Sequence, residues 1–87
     1  MAVLTRYHLT GMTPSRYDEI APPLVEKLKA QPGFVAQAAF MDSGVFTVSE
    51  IWESREQHDR WFDEIVKPNV PGVEQDWIIE LHSLNTP

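Results

Sequence analysis

The sequence has no cysteine, few cationic residues and no long apolar run, and each shortage excludes a class of protein. Without cysteine there is no disulfide bond, no thiolate ligand for a metal and no cysteine nucleophile. Only 7 Lys and Arg residues oppose 13 Asp and Glu residues, which leaves a formal net charge of −6. We expect no nucleic acid and no membrane as partner, because phosphate backbones and anionic lipids attract clustered positive charge. No stretch approaches the roughly 18 apolar residues of a membrane-spanning helix.

The length of 87 residues predicts a single domain over residues 1–87. A chain of this size buries only about 60% of its unfolded surface, so it gains from extra burial. Since disulfides are excluded, association with another copy is the common way to obtain that burial. The segment Met1–Arg6 has no basic region followed by an apolar one, so we expect no signal peptide and a cytoplasmic location.

Hydrophobic periodicity divides the chain into four strands and two helices. The predicted elements, in chain order, are a strand over 2–9, a helix over 13–30, strands over 34–41 and 45–53, a helix from Ser54 to Pro68 and a strand over 76–84. Thr13 and Ser54 are predicted N-caps, and Pro22-Pro23 predicts a kink or break near Ala21. The order β-α-β-β-α-β predicts a ferredoxin-like α+β fold, with a four-stranded antiparallel sheet and both helices on one face.

The other face of this sheet has no helix to cover it, although the strands are apolar on both sides. Tyr7, Trp52 and Trp77 are too bulky to lie together under two short helices. We therefore predict a homodimer in which the open sheet face packs against a second copy.

Several short segments carry a resemblance to a known family. They are Gly11-Met12-Thr13-Pro14 before the first helix, Gln31-Pro32-Gly33-Phe34 before the second strand, Ile51-Trp52-Glu53-Ser54 after the third, and Ser54 to Pro68 with Trp61-Phe62 at its centre. In this order the chain resembles the dimeric α+β barrel superfamily, specifically its antibiotic-biosynthesis-monooxygenase-like branch. The resemblance implies a homodimer with a small-molecule pocket between the sheet and helices of each subunit. Its members include cofactor-free oxygenases of aromatic polyketides, haem-degrading oxygenases, isomerases and cyclases.

The haem-degrading members of that branch can be compared residue by residue. Trp52 and Trp61 match the two tryptophans that the resemblance requires. The position of the iron-binding histidine falls at Pro71, and the first strand offers Tyr7 where those members have an asparagine. Proline has no lone pair for iron, so haem degradation is disfavoured. We expect no cofactor and no metal.

The candidate site residues are polar or aromatic groups on the predicted pocket walls. His58 and His8 are the candidate catalytic bases, because imidazole exchanges protons near neutral pH. The candidate substrate-binding residues are Trp61, Trp52, Tyr7, Arg6, Glu50 and Phe62. For His58 the alternative is a structural histidine hydrogen-bonded in the core. For Glu50 the alternatives are an ion pair with Arg6 or proton chemistry with a raised pKa. His8 could also share a polar patch with Glu80 and His82.

These residues favour an enzyme that removes a proton from an aromatic or polyketide-like substrate, with cofactor-free, monooxygenase-like oxygenation as the outcome. One alternative is a non-catalytic module that binds a small molecule or serves as a structural dimer, with bulky side chains filling the space under the helices. A second alternative is an isomerase or cyclase that uses the same pocket without oxygen. Whether the chain is an enzyme stays open at this point.

Overall fold

The computed structural model describes residues 1–87, and its elements follow the order expected from the sequence. They are β1 (Val3–Leu9), α1 (Pro14–Lys29), β2 (Phe34–Asp42), β3 (Val45–Trp52), α2 (Arg55–Trp61), a π-helical segment (Phe62–Val66), α3 (Lys67–Asn69) and β4 (Val73–Glu80). The strands form one sheet in the order β2-β3-β1-β4, and every neighbouring pair is antiparallel. This confirms the ferredoxin-like α+β fold.

Side-chain caps fix the start of both main helices. The Thr13 hydroxyl accepts a hydrogen bond from the Arg16 amide at 3.2 Å, and the Ser54 hydroxyl accepts one from the Gln57 amide at 3.2 Å. Both caps confirm the sequence prediction, because each satisfies an amide that has no partner within the helix. Ser54 also donates to Gln57 Oε1 at 2.9 Å, which holds this glutamine side chain over the helix start.

Three features of the elements differ from the prediction. Helix α1 runs from Pro14 to Lys29 without the break that was one of the two outcomes predicted near Ala21, because Pro22 and Pro23 are exposed and water can hydrogen-bond the two carbonyls that lose their amide donors. The second helical region continues through Pro68 to Asn69. Strand β4 begins and ends earlier than the predicted 76–84.

The early start of β4 follows from its pairing with β1. The Thr10 amide donates to the Gly72 carbonyl at 3.0 Å, so the pairing already begins beside Val73. A bulge then shifts the register, since Arg6 is paired with Trp77 while Tyr7 is paired with Gln75. Asp76 is the extra residue at this bulge.

Strict alternation along β1 separates the two faces of the sheet. Val3, Thr5, Tyr7 and Leu9 are buried under the helices, whereas the residues between them point to the opposite face. The core beneath the helices also contains Leu28, Phe46, Val48, Trp52, Trp61, Phe62, Val66 and Val70. Tyr7 and Trp52 thus both fit under the helices, and of the three bulky aromatics only Trp77 lies outside.

The open face is the sheet surface opposite the helices, formed by Leu4, Arg6, His8, Phe40, Asp42, Glu74, Trp77 and Ile79. The open face also includes Val45, which pairs with Asp42, and four of its large apolar side chains are exposed: Phe40 at 37%, Trp77 at 39%, Val45 at 43% and Ile79 at 50%. No helix has the length and apolar character needed to cross a membrane.

Candidate functional site

A cavity of about 60 Å³ lies between α1 and the helix-facing side of the sheet. It is lined by sixteen residues, all apolar or aromatic except Gln37 and Glu50: Tyr7, Leu9, Met12, Tyr17, Ile20, Ala21, Leu24, Val25, Leu28, Gln37, Val48, Glu50, Trp61, Val66, Val70 and Val73. Helix α1 supplies six of these residues, so it forms one whole wall. The polar groups come from the sheet, from Tyr17 and from Trp61.

Glu50 is a buried carboxylate without a cationic partner. Its side chain is on the helix-facing side of β3, and the residue is only 2% exposed. Oε1 accepts a hydrogen bond from Trp52 Nε1 at 2.9 Å, and Oε2 accepts one from Gln37 Nε2 at 3.2 Å. The carboxylate forms no ion pair with a lysine or arginine. The N–H groups of Trp52 and Gln37 are its hydrogen-bond donors instead of a cation.

Two tyrosines lie near this carboxylate on the cavity wall. Burial raises the pKa of Tyr7 far above its ordinary value, and the negative charge of Glu50 raises it further. Burial and then the Glu50 charge also raise the pKa of Tyr17, whose hydroxyl is 3.5 Å from Gln37 Oε1. Both phenols therefore stay protonated at neutral pH, and they act as hydrogen-bond donors rather than bases.

Four buried polar atoms in this region have no protein partner: Thr5 Oγ1, Tyr7 OH, His58 Nε2 and Trp61 Nε1. Buried polar groups are normally hydrogen-bonded, so such a group of exceptions marks a place where another molecule can bind. Tyr7 and Trp61 line the cavity, which gives its wall two donors for a ligand oxygen. An oxygen that gains negative charge during a reaction is the natural acceptor for them.

His58 is fully buried but does not line the cavity. Its ring packs at centroid distances of 5.7 to 6.2 Å against Phe62, Trp52 and Tyr7. Nδ1 lies 2.9 Å from Asp59 Oδ1. The histidine therefore touches the cavity only through the Tyr7 ring, and a direct proton transfer from a ligand in this cavity does not reach it.

Arg6 and His8 lie on the open face, on the opposite side of the sheet from the cavity. His8 Nδ1 is 2.7 Å from Asp76 Oδ1, and His8 Nε2 is 3.2 Å from Glu74 Oε2. Arg6 forms an ion pair with Asp42 and lies 3.8 Å from Asp76.

The expected pairing of Arg6 with Glu50 is therefore wrong, because the two side chains alternate to opposite faces. The expected patch of His8, Glu80 and His82 is also wrong. Glu80 pairs with Val3 on the helix-facing side, and His82 lies beyond the end of β4.

The eight candidate residues thus fall into three groups. Tyr7, Glu50 and Trp61 meet at the cavity, and Trp52, Phe62 and His58 pack in the core beside it. Arg6 and His8 belong to the open face. Gln37 and Tyr17 also line the cavity, although neither is among the candidate site residues predicted from the sequence. A signal for Gln37 was present, since it is the one polar side chain in the apolar run of β2 from Phe34 to Met41.

The cavity is small for a ring-shaped ligand. An engineered cavity that binds benzene measures about 150 Å³, and drug-sized pockets begin at about 300 Å³. The lining residues Tyr17, Ile20 and Leu24 on α1 are only partly buried. A ligand of one or more rings therefore has to displace side chains along this helix as it enters.

Comparison with known proteins gives structural relatives only. The sequence matches no family model and no curated protein. A variant of SnoaB, a cofactor-independent oxygenase from Streptomyces nogalater, superposes with a TM-score of 0.66 at 10% identity, covering 95% of this chain and 94% of that chain. The structural-genomics protein YJCS superposes with a TM-score of 0.58 at 15% identity, covering 90% of this chain and 91% of that chain. A proposed antibiotic biosynthesis monooxygenase from Chloroflexus aurantiacus J-10-fl superposes with a TM-score of 0.52 at 20% identity, covering 99% of this chain and 94% of that chain.

These similarities extend over nearly the whole of each chain, so they concern the complete fold and not one shared motif. At identities of 10 to 20% they establish architecture and leave activity to be argued from the site. The chain therefore has the ferredoxin-like fold of the antibiotic-biosynthesis-monooxygenase-like proteins, as the resemblance in its sequence predicted.

Proposed function

We propose that this protein is a small-molecule enzyme of the monooxygenase-like kind. Its substrate is an aromatic or polyketide-like molecule bound in the cavity under α1, and the reaction is a cofactor-free oxygenation that begins with removal of a proton. The observation that carries the proposal is the Glu50 carboxylate, buried without a cation in an apolar cavity beside unpartnered donors. A carboxylate that lines a cavity beside free hydrogen-bond donors is a candidate general base.

Each polar group has a separate task in this mechanism. Glu50 accepts a proton from a carbon that lies between hydroxylated rings, since its carboxylate lines the cavity. The hydroxyl of Tyr7 and the indole N–H of Trp61 donate hydrogen bonds to the substrate oxygen that gains the charge. Glu50 thus replaces the histidines as the proposed base.

The carbanion then reacts with dioxygen. Its electron pair forms the C–O bond, and the proton returns to the outer oxygen to give a hydroperoxide. Loss of the second hydrogen of that carbon as a proton, with cleavage of the O–O bond, releases water and leaves a carbonyl. One oxygen atom enters the substrate, the other leaves as water, and the substrate supplies all four electrons.

The test is oxygen uptake by the purified protein with anthrone-type hydroxylated tricyclic compounds. We expect uptake above the uncatalysed rate, and we expect Glu50→Gln to lower it by about 100-fold or more, the usual contribution of a general base. Glu53→Gln is the matched control, because it removes an exposed carboxylate three residues along the chain. It should keep the wild-type rate.

The result that contradicts the proposal is wild-type oxygen uptake by a folded Glu50→Gln protein. Conversion of the substrate under argon, with the same loss in Glu50→Gln, would instead identify the isomerase or cyclase that the sequence left open. Both outcomes are separated by one pair of aerobic and anaerobic assays.

A non-catalytic binding module is the second candidate. It is favoured by one observation, that no histidine lines the cavity. In that case aromatic ligands bind and are recovered unchanged in the presence of oxygen, and Glu50→Gln alters affinity only.

We also propose that two copies associate through the open face, with one small-molecule site in each. The exposed Phe40, Trp77 and Ile79 support this, since they give a domain of this size an apolar surface that a partner can cover.

A further inference from the structure

The charge of the cavity wall points to the class of ligand that it admits. Among its sixteen lining residues, Glu50 is the only carboxylate, and no lysine, arginine or histidine lines the cavity. A buried site of this kind offers no positive charge to compensate a ligand that enters already ionised, and Glu50 adds a negative one.

Glu50 also has unused capacity to accept hydrogen bonds. A carboxylate has about four acceptor positions, and here Trp52 and Gln37 occupy two of them. The Tyr7 hydroxyl beside it makes no hydrogen bond to a protein acceptor in the structure. A ligand that donates an O–H or N–H to Glu50 therefore completes an arrangement that an aprotic ligand leaves incomplete.

We propose that Glu50 makes the cavity selective for neutral ligands that carry a hydrogen-bond donor, and that it rejects carboxylates of the same shape. This inference rests on the proposed function, because it names the class of substrate for the same cavity. Phenols, enols and ring N–H compounds belong to the accepted class. Aromatic acids and apolar hydrocarbons do not.

The neighbouring tyrosines support the same conclusion. A phenol is neutral or negative and never cationic, so neither tyrosine can supply the positive charge that an anion needs; their raised pKa values keep both neutral near Glu50. Arg6, on the neighbouring strand β1, lies across the sheet and is already paired with Asp42. Selection by charge is therefore a property of Glu50 and not of the whole surface.

The test uses three probes of similar size: phenol, toluene and benzoate. Binding to the wild-type protein is measured by calorimetry at neutral pH, without any turnover. A hydrogen bond to a charged group is worth about 1.5–3 kcal/mol, so we expect toluene to bind roughly tenfold or more weakly than phenol. Benzoate should show no binding at the concentrations that saturate with phenol.

Substitution of Glu50 assigns the selectivity to this residue. In Glu50→Gln the amide can donate as well as accept, so the preference for phenol over benzoate should fall by about tenfold or more. Glu53→Gln should keep the wild-type preference.

Equal affinity of the wild-type protein for phenol and benzoate, or no binding of phenol, would overturn the proposal. The comparison of phenol, toluene and benzoate binding to the wild-type protein tests the proposed selectivity even if Glu50→Gln does not fold. Selective phenol binding without oxygen uptake would leave this inference in place while the proposed oxygenation fails.

Discussion

At the scale of single residues, the two tyrosines are the most direct reporters of the cavity. The chain has only Tyr7 and Tyr17, and both have a raised pKa, because Tyr7 is buried, Tyr17 is partly buried and both lie near Glu50. An unfolded tyrosine ionises near pH 10. The native protein should therefore show less tyrosinate absorbance than the unfolded chain just above pH 10, and the Tyr7 signal should appear together with unfolding.

The same shifts predict how stability depends on pH. Above pH 10 the unfolded chain loses phenol protons that the native protein keeps, so the unfolded state binds fewer protons and the free energy of unfolding falls as pH rises. Each fully shifted tyrosine contributes about 1.4 kcal/mol per pH unit. In urea unfolding series, Tyr7→Phe should remove its share of this slope. Ionisation of both tyrosines in the folded protein near pH 10 would contradict the buried position of the Tyr7 phenol.

At the scale of elements, the turn before β2 is held against the start of α2. Gly33 has a φ of +85°, and a Cβ at this position would lie 2.1 Å from Gln57 Oε1. That oxygen already accepts the hydrogen bond of Ser54, so it cannot withdraw without disturbing the helix cap. Glycine is therefore required here by both the backbone angle and the space.

Gly44 provides the matched control, because it has a similar φ of +81° and a Cβ added there would have no atom within 4 Å. Gly44→Ala should cost only the left-handed backbone strain, about 1–2 kcal/mol. Gly33→Ala should cost at least about 1 kcal/mol more, since Gln57 must also move. The comparison is made by urea unfolding, and equal losses for the two variants would show that the Gln57 contact does not matter.

At the scale of the whole molecule, the open face predicts the state of association. Ile79→Lys replaces the most exposed of the apolar side chains named on that face with a charge, so it should convert a dimer into a monomer in sedimentation equilibrium. Met41→Lys is the control, because Met41 is also exposed, at 46%, but pairs with Phe46 on the helix-facing side. A wild-type chain that is monomeric at high micromolar concentration would contradict the proposed homodimer.

The whole fold could be predicted from the sequence because each element carries its own local signal. Thr13 and Ser54 cap their helices as predicted, and the period-2 pattern of β1 separates the two faces of the sheet. The Pro22-Pro23 pair predicted the helix boundary least well. A proline that faces water destabilises a helix less than a buried one, because water can hydrogen-bond the carbonyls that lose their amide donors. The start of β4 was missed because it is set by a backbone bond from Thr10 to Gly72, which no local pattern contains.

The candidate site was less predictable than the fold. Glu50, Tyr7 and Trp61 were recognisable as polar or aromatic groups on apolar faces, and the structure places them around one cavity. His8 and Arg6 were assigned to the same site because one is a possible base and the other a cation on the same strand as Tyr7. The alternation of β1 puts them on the other face, where Asp42, Glu74 and Asp76 are their partners. Which face lines a pocket depends on pairing between distant strands, and composition does not determine it.

Ligands are expected to bind under α1 and not on the open face, and the three tryptophans allow a direct test. Trp61 lines the cavity with an unpartnered indole N–H, the Trp52 indole donates to Glu50, and Trp77 lies on the open face. The measurement is a phenol titration followed by the three indole N–H signals in ¹H–¹⁵N NMR, assigned with single Trp→Phe variants. We expect the chemical shifts of the Trp61 and Trp52 indole signals to change with the same saturation curve, while the chemical shift of Trp77 does not change. A titration that moves Trp77 and leaves Trp61 unchanged would contradict it.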